Sequence, residues 1–397
     1  MTMSLQQEWQ YLQRVVPDCG AAFQPIEDAL RDVFIPALLQ STADETQREL
    51  TALSVKRAGI GILDPTQTAS SCFEASKACT EILVQSLSEG VELDTNKHVN
   101  HAGIERRRSQ KARQEAEETV WAELSAGANR EVKARLLRAK ETGRWLTTTP
   151  NRLNGTELSA EEFRDSLRIR LGLAPLDLPD RCDGCAEHFD VGHAMSCKKG
   201  GLVTIRHNDV ASEWHHLCAQ ALTPSAVSDE PLIHSGRDNS TRQGAKGTEI
   251  TPETRGDVAV HGFWKRGATA IFDVRITNIE APAYRGRDPK TVLASQEKEK
   301  KGKYLQHCLD RRRQFTPLVF SVDGLKGVEA ESAMKRLASL LAAKWKRSYS
   351  EVCGFVSSRL AITLVRTTSM CLRGARDPTS RAFHATWDSG VGLALYV

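Results

Sequence analysis

The sequence predicts an α/β protein in three parts: a helical amino-terminal region, a small cysteine-rich segment, and an α/β domain with a central mixed sheet flanked by helices. Three observations carry this. Apolar residues recur at helical spacing as far as about residue 145. Three of the ten cysteines gather between residues 182 and 197. From Arg206 onward, helical and extended patterns alternate over about 190 residues. A chain of 397 residues with 40% apolar content can bury two or three such cores, which excludes a disordered tail protein.

The boundaries follow composition: 1–150, 151–202 and 203–397. In the first part Trp9, Leu12, Val16, then Ile26, Leu30, Val33, Phe34 and Leu38 mark buried stripes, and Pro36 is expected to kink or end the second run. From Ile104 to Trp145 one helix is expected, its stripe narrowed to Val120, Leu124, Ala128, Val132 and Leu136. Arg106, Arg107, Arg108, Lys111 and Arg113 open it and read as a solvated face. In the second part Ser159 and Glu162 form a capping box before Phe163, Leu167 and Leu171, and Gly172 with Pro175 closes that short helix. In the third, helices are expected over Val210–Leu222, Thr291–Arg313, Val328–Trp345 and Tyr349 to about Leu372. Strands are expected over Asp257–Phe263, Ala270–Ile276 and Pro317–Val322, and Ser235–Thr254 reads as a surface loop. There is no internal repeat.

Lysine and arginine number 54 against 50 acids, so a net charge of +4 confines any nucleic-acid site to a local patch. No apolar run approaches the roughly 18 residues of a membrane helix, and the first residues lack a signal peptide's apolar stretch. No membrane partner is expected, and the chain reads as soluble and intracellular, with seven cysteines scattered as thiols.

The cysteine cluster has the form Cys182-x2-Cys185, seven residues, His193, three residues, Cys197. Zinc takes four sulfur or nitrogen ligands in a tetrahedron; Cys-x2-Cys gives two from one turn, eased here by Gly184. His193 and Cys197 lie one helical turn apart. His188 is a rival ligand, cramped by its closeness to Cys185. Four protein ligands leave no open position, so a structural Zn²⁺ is expected.

The second constellation is acidic. Alternation puts Val258 and Val260 on one strand face and Asp257 on the other; Phe272, Val274 and Ile276 likewise leave Asp273 with Arg275. A turn centred on Lys265 sets position 257 opposite 273, with like charges about 5 Å apart at Cβ, a destabilising pair unless a cation offsets it. Mg²⁺ or Mn²⁺ does so while keeping positions for a phosphate oxygen and a water. The alternative is two surface aspartates, or Asp273 paired with Arg275. Glu230 is a candidate third acid. On the following helix Leu305, Cys308 and Leu309 define a buried stripe that, stepped backwards, reaches Lys301 and then Lys298, leaving Lys300 and Lys303 outside it. An inward lysine beside acids suits phosphodiester hydrolysis. The basic residues between Arg285 and Arg313, Arg311 and Arg312 among them, suit a nucleic-acid backbone, as do Arg206 and His207, with Asn208 expected to cap the helix after them. Trp214 and Trp264 read as packing residues.

Taken in order, Cys182, Cys185, His193 and Cys197, then Arg206-His207-Asn208, Arg255-Gly256-Asp257, Asp273, and Lys301 with Tyr304 resemble the carboxyl-terminal part of a non-LTR retrotransposon polyprotein carrying a restriction-enzyme-like endonuclease. The resemblance covers about residues 150–397, and the earlier helices look like the linker after the polymerase thumb. It implies a restriction-endonuclease-like domain of the PD-(D/E)xK type that nicks target DNA to prime reverse transcription. Asp257, Asp273, Lys301 and Glu230 would be its catalytic residues, with Mg²⁺ on the two aspartates. Arg206, His207, Lys298, Arg311 and Arg312 would contact nucleic acid. Target DNA and element RNA are the implied partners, and the nucleus is the implied location. Three features depart from the family pattern: Gly256 stands where it has proline, 15 residues separate the two aspartates, and Arg275 takes the lysine place of the D-x-K element. A Tyr/Phe-x-Asp-Asp polymerase motif is absent, so the chain reads as the downstream part of a longer polyprotein or as a degenerate copy. The competing reading is a non-catalytic nucleic-acid-binding fragment of such a polyprotein; a third is a helical interaction protein working through residues 1–145.

Overall fold

The structure, a computed structural model, describes residues 4–234, 253–284 and 286–377. All but the last two residues of the expected Ser235–Thr254 loop, and Arg285, lie outside the described residues. The chain is a mixed α/β protein, predominantly helical, with a small mixed sheet. It divides into two compact units: residues 1–146 with 167–173, and 147–166 with 174–397.

The first unit is helical: α1 (Leu5–Val15), α2 (Gln24–Ala29), α3 (Ile35–Leu39), α4 (Glu45–Ala52), α5 (Pro65–Glu89), α6 (Thr95–Ala126) and α7 (Arg130–Ala139). Trp9, Phe23, Leu30, Ile62 and Ala69 form its core. Asp64 caps α5 ahead of Pro65, and Gly90 closes it at a φ of 65°. Pro36 does not end its run. A π turn over Leu30–Phe34 precedes it, with the Ile35 N–H donating to the Leu30 carbonyl, and the helix continues until Gln40 turns left-handed at a φ of 52°. The π turn absorbs the proline ring that a regular α-helix would clash with. The single helix expected over Ile104–Trp145 is also broken: α6 stops at Gly127, and Asn129 caps α7 by accepting the Val132 N–H. Capping chemistry overrides the continuous apolar stripe there. Arg106 and Arg107 are exposed, while Lys111 and Arg113 pair along the helix with Glu115 and Glu117.

Early in the second unit stands the capping box: the Ser159 N–H donates to Glu162 at 2.8 Å and the Glu162 N–H to Ser159 Oγ at 3.1 Å, starting α8 (Ala160–Leu171), whose residues from 167 on count with the first unit. Then come α9 (Val191–Ser196), α10 (Leu202–Ala221), β1 (Val227–Asp229), β2 (Leu232–His234), β3 (Thr254–Arg255), β4 (Val258–His261) and β5 (Thr269–Thr277). After these follow α11 (Pro289–Asp310), β6 (Gln314–Ser321), α12 (Val328–Trp345) and α13 (Tyr349–Arg373). The helix expected from Val210 starts eight residues earlier, at Leu202, so Asn208 lies inside α10 and caps nothing; Gly201, at a φ of 72°, stands at the cap position.

The main sheet has the order β1-β4-β5-β6, and β2 and β3 form a separate antiparallel pair. β4 runs antiparallel to β1 and β5, while β5 and β6 are parallel and joined by α11, the crossover that parallel neighbours require. Pro317, which cannot donate to a ladder, sits on β6 at the sheet's edge. Strand alternation sorts the two faces. Val258, Val260, Phe272, Val274, Leu318 and Phe320 pack on Trp214, Leu217, Leu337 and Leu360 from α10, α12 and α13. Ala259, Ile271 and Phe315 meet Tyr304 and Cys308 of α11 on the other face. Asp273, in step with Ile271, therefore lies on the α11 side.

Candidate functional site

Two groups of chemistry-bearing residues stand in the second unit, and α10 links them. The first is the knuckle. Cys182 Sγ lies 3.9 Å from Cys197 Sγ, Cys185 Sγ is 3.9 Å from Cys197 Sγ, and His193 Nε2 is 3.4 Å from Cys185 Sγ. All four ligand atoms fall within 4.8 Å of one another. A tetrahedral zinc with bonds of about 2.3 Å to sulfur sets its sulfurs about 3.8 Å apart, so this donor set fits Zn²⁺. Among the described residues it is the one group of three or more such ligands that converges this way. His188 is exposed and outside the set.

Local sequence builds the knuckle. The Ala186 N–H donates to the Cys182 carbonyl at 2.8 Å to close the Cys-x2-Cys turn, and Asp190 caps α9 by accepting the His193 N–H at 2.6 Å. Burial opposes a thiolate at Cys182, but the Gly184 N–H, His193 and the Cys185 N–H outweigh it and bring the thiol down to about 7. The loop is sealed from behind. Asp183 accepts the backbone N–H of Arg376 at 2.5 Å and of Asp377 at 3.0 Å, and the Arg376 guanidinium, 4.8 Å over the Phe189 ring, donates to the Ala194 and Cys371 carbonyls. A side chain at position 184 would drive its Cβ to 2.8 Å from Arg376 Cβ, which explains the glycine.

The second group surrounds the two aspartates. The β4–β5 register pairs Val258 with Phe272 and His261 with Thr269; Asp257, one residue before β4, lies outside that ladder, so the 257–273 pairing expected from a turn centred on Lys265 is not among its pairs. Asp257 holds its place at the start of β4 through its own N–H, which donates to the Phe272 carbonyl at 3.0 Å. Its carboxylate is pinned on both oxygens: Oδ2 accepts the Val274 N–H at 2.5 Å, and Oδ1 lies 2.9 Å from His207 Nε2 on α10. Asp273 is buried, at 4% exposure, and the Lys300 ammonium stands 2.6 Å from its Oδ2. Burial raises the Asp273 carboxyl above the usual range, with Lys300 opposing and Asp257 adding to the rise. The hydrogen bond to Asp257 raises the His207 imidazole, against the effect of its burial.

The glycine at 256 is not a looser proline. Its N–H donates to the Pro231 carbonyl at 3.0 Å, a bond proline lacks, and a Cβ there would come within 2.6 Å of Ile271 Cγ2.

Other candidates stand elsewhere. The inward lysine is Lys300, whereas Lys301 turns to Glu329 at the start of α12, which is capped by the neighbouring Glu297 through the Glu329 N–H at 2.9 Å. The stripe misled by one residue because Leu309, used to phase it, is 52% exposed; stepping back by fours from buried Cys308 and Tyr304 gives 300. Arg275 pairs with Glu299 at 3.0 Å rather than with Asp273. Glu230 is exposed, and its backbone N–H donates to the Asp257 carbonyl at 2.9 Å. Arg206 is buried at 2% exposure and donates to the Met195 carbonyl at 3.1 Å, so it is a structural tie between α10 and α9 and not a phosphate contact. Lys298 and Arg312 are exposed, Arg311 is half-buried, and the two arginines follow α11, about 15 Å along its axis from Lys300. Trp214 is fully buried, and Trp264 donates to Thr316 Oγ1 at 3.1 Å, so both serve packing. Sequence reasoning missed Lys300 and the bond between His207 and Asp257. The first was available from a correctly phased stripe; the second had no local signal, since 50 residues separate the partners.

No protein-family model matches the chain, and no curated protein matches it. Among the described residues no helix is long and apolar enough to cross a membrane.

Proposed function

We propose that the chain is a metal-dependent DNA endonuclease of the PD-(D/E)xK type, the downstream part of a non-LTR retroelement polyprotein, and that it nicks target DNA in the nucleus. The observation that carries the reading is that Asp257, whose carboxylate accepts the Val274 N–H, stands beside Asp273 of β5, with an ammonium, Lys300, against the buried member. A sheet of antiparallel and parallel strands with the lysine on the crossover helix supports the restriction-endonuclease-like arrangement.

The donor set suits Mg²⁺ or Mn²⁺. Carboxylate oxygens are hard ligands, and one or two of them with phosphate and water complete an octahedron. Each Asp257 oxygen spends one of its two lone pairs on a protein donor and keeps the other. A dication there supplies a Lewis acid for the phosphodiester and lowers the pKa of its water. Asp257 and Asp273 would hold it. Lys300 holds positive charge where the phosphate gathers negative charge. Zinc at the knuckle is structural, since its four protein ligands leave no open position.

The test is nicking of supercoiled plasmid by purified protein with Mg²⁺. Wild type converts it to the open circle and Asp273→Ala does not. Equal activity in the two, or none in either with Mg²⁺ and with Mn²⁺, overturns the assignment.

A further inference from the structure

We propose that His207 is a positioning residue: it fixes the Asp257 carboxylate in the orientation that ligates the dication, and Arg206 fixes His207 by tying α10 to the zinc-bearing loop. The inference rests on the endonuclease reading and extends it to residues away from the reacting atoms.

Asp257 stands one residue before β4; its N–H donates to the Phe272 carbonyl and its carbonyl accepts the Glu230 N–H, bonds that hold its backbone but leave its carboxylate unfixed. Without further contacts its side chain would rotate. The Val274 N–H at 2.5 Å holds one oxygen; His207 Nε2 at 2.9 Å holds the other. Because a carboxylate only accepts, Nε2 carries the proton and donates. Two donors on two different oxygens fix the plane of the group, which one alone cannot do.

His207 is itself held by its neighbour. The Arg206 guanidinium is buried against α9, donating to the Met195 carbonyl at 3.1 Å and reaching Met195 Sδ at 3.4 Å. Met195 follows His193, a member of the zinc set, by two residues on the same short helix. A continuous path of contacts therefore runs from the Cys182, Cys185, His193 and Cys197 tetrahedron through Met195 and Arg206 to His207 and Asp257. Asn278, just past the end of β5, adds a second tie, donating to Ser196 Oγ at 3.0 Å. The knuckle so placed is a brace for the acidic site.

Outer hydrogen-bond partners of metal ligands typically contribute about 10- to 100-fold in metal affinity. The experiment is Mn²⁺ binding followed by electron paramagnetic resonance on the full zinc-loaded chain, comparing wild type, H207A, H207Q and the double variant D257N/D273N, with melting temperatures as a check of folding. Wild type should bind Mn²⁺ and the double variant should not. H207A should bind at least about 10-fold more weakly. H207Q, whose amide nitrogen occupies the place of Nε2, should regain most of the affinity. If H207A matches wild type while the double variant fails to bind, the positioning role is wrong and the endonuclease reading stands. If wild type binds no better than the double variant, both fall. Nitrogen hyperfine coupling in the wild-type Mn²⁺ signal would make His207 a ligand and overturn the positioning role.

Discussion

A carboxylate buried as deeply as Asp273 loses hydration that favours its charged form, and the Lys300 ammonium at 2.6 Å is what compensates. Removing that partner leaves an unpaired buried charge. Lys300→Ala should therefore lower stability by about 3 kcal/mol or more, read in a urea melt, unless Asp273 takes up a proton to escape the cost. The same change should cost nicking at least ~100-fold. Lys301→Ala removes a pair whose members are 36% and 31% exposed, and should cost less than about 1 kcal/mol and little activity. The opposite ranking of the two variants would show that the ammonium at Asp273 is not the working one. The place of Asp273 on its strand was legible from alternation, because a period of two leaves no freedom once the register is set, whereas Asp257 falls one residue before its strand, where alternation fixes no partner. The lysine was harder, since helical stepping carries an error of one residue whenever an exposed leucine is counted as core.

At the scale of elements, the zinc loop depends on contacts distant in sequence as well as on its ligands. Purified protein should carry one zinc at the knuckle by elemental analysis, and Cys185→Ser should lose it, because three ligands from this loop cannot close a structural tetrahedron. A Cys185→Ser protein retaining full zinc would point to another binding site. The capping box at Ser159 was legible because its two residues are three apart, and the Cys-x2-Cys turn for the same reason. The π turn ahead of Pro36 was not. A proline inside a helical pattern signals a break, and only the surrounding core decides whether the chain breaks or adds a residue to the turn. The glycine at 256 had no local explanation, because its cause, the crowding of Ile271, belongs to a strand fifteen residues on.

For the molecule as a whole, two units with separate cores predict two unfolding transitions in calorimetry. Stripping zinc with a chelator should lower the transition of the second unit and leave that of the first in place, because all four ligands lie in the second. One transition that moves as a block would mean the units fold as one. The net charge of +4, spread over 397 residues, gave no hint of where a nucleic acid would lie, since charge composition carries no position.

The seal on the zinc loop has a consequence for synthesis. Asp183 and the Arg376 backbone that closes over it are 193 residues apart, so a ribosome working at about 5–20 residues per second exposes the nascent thiols for roughly 10–40 s before their lid is made. Throughout that interval the four ligand residues stand without their seal, and closure of the loop waits on the segment just after α13 to leave the exit tunnel.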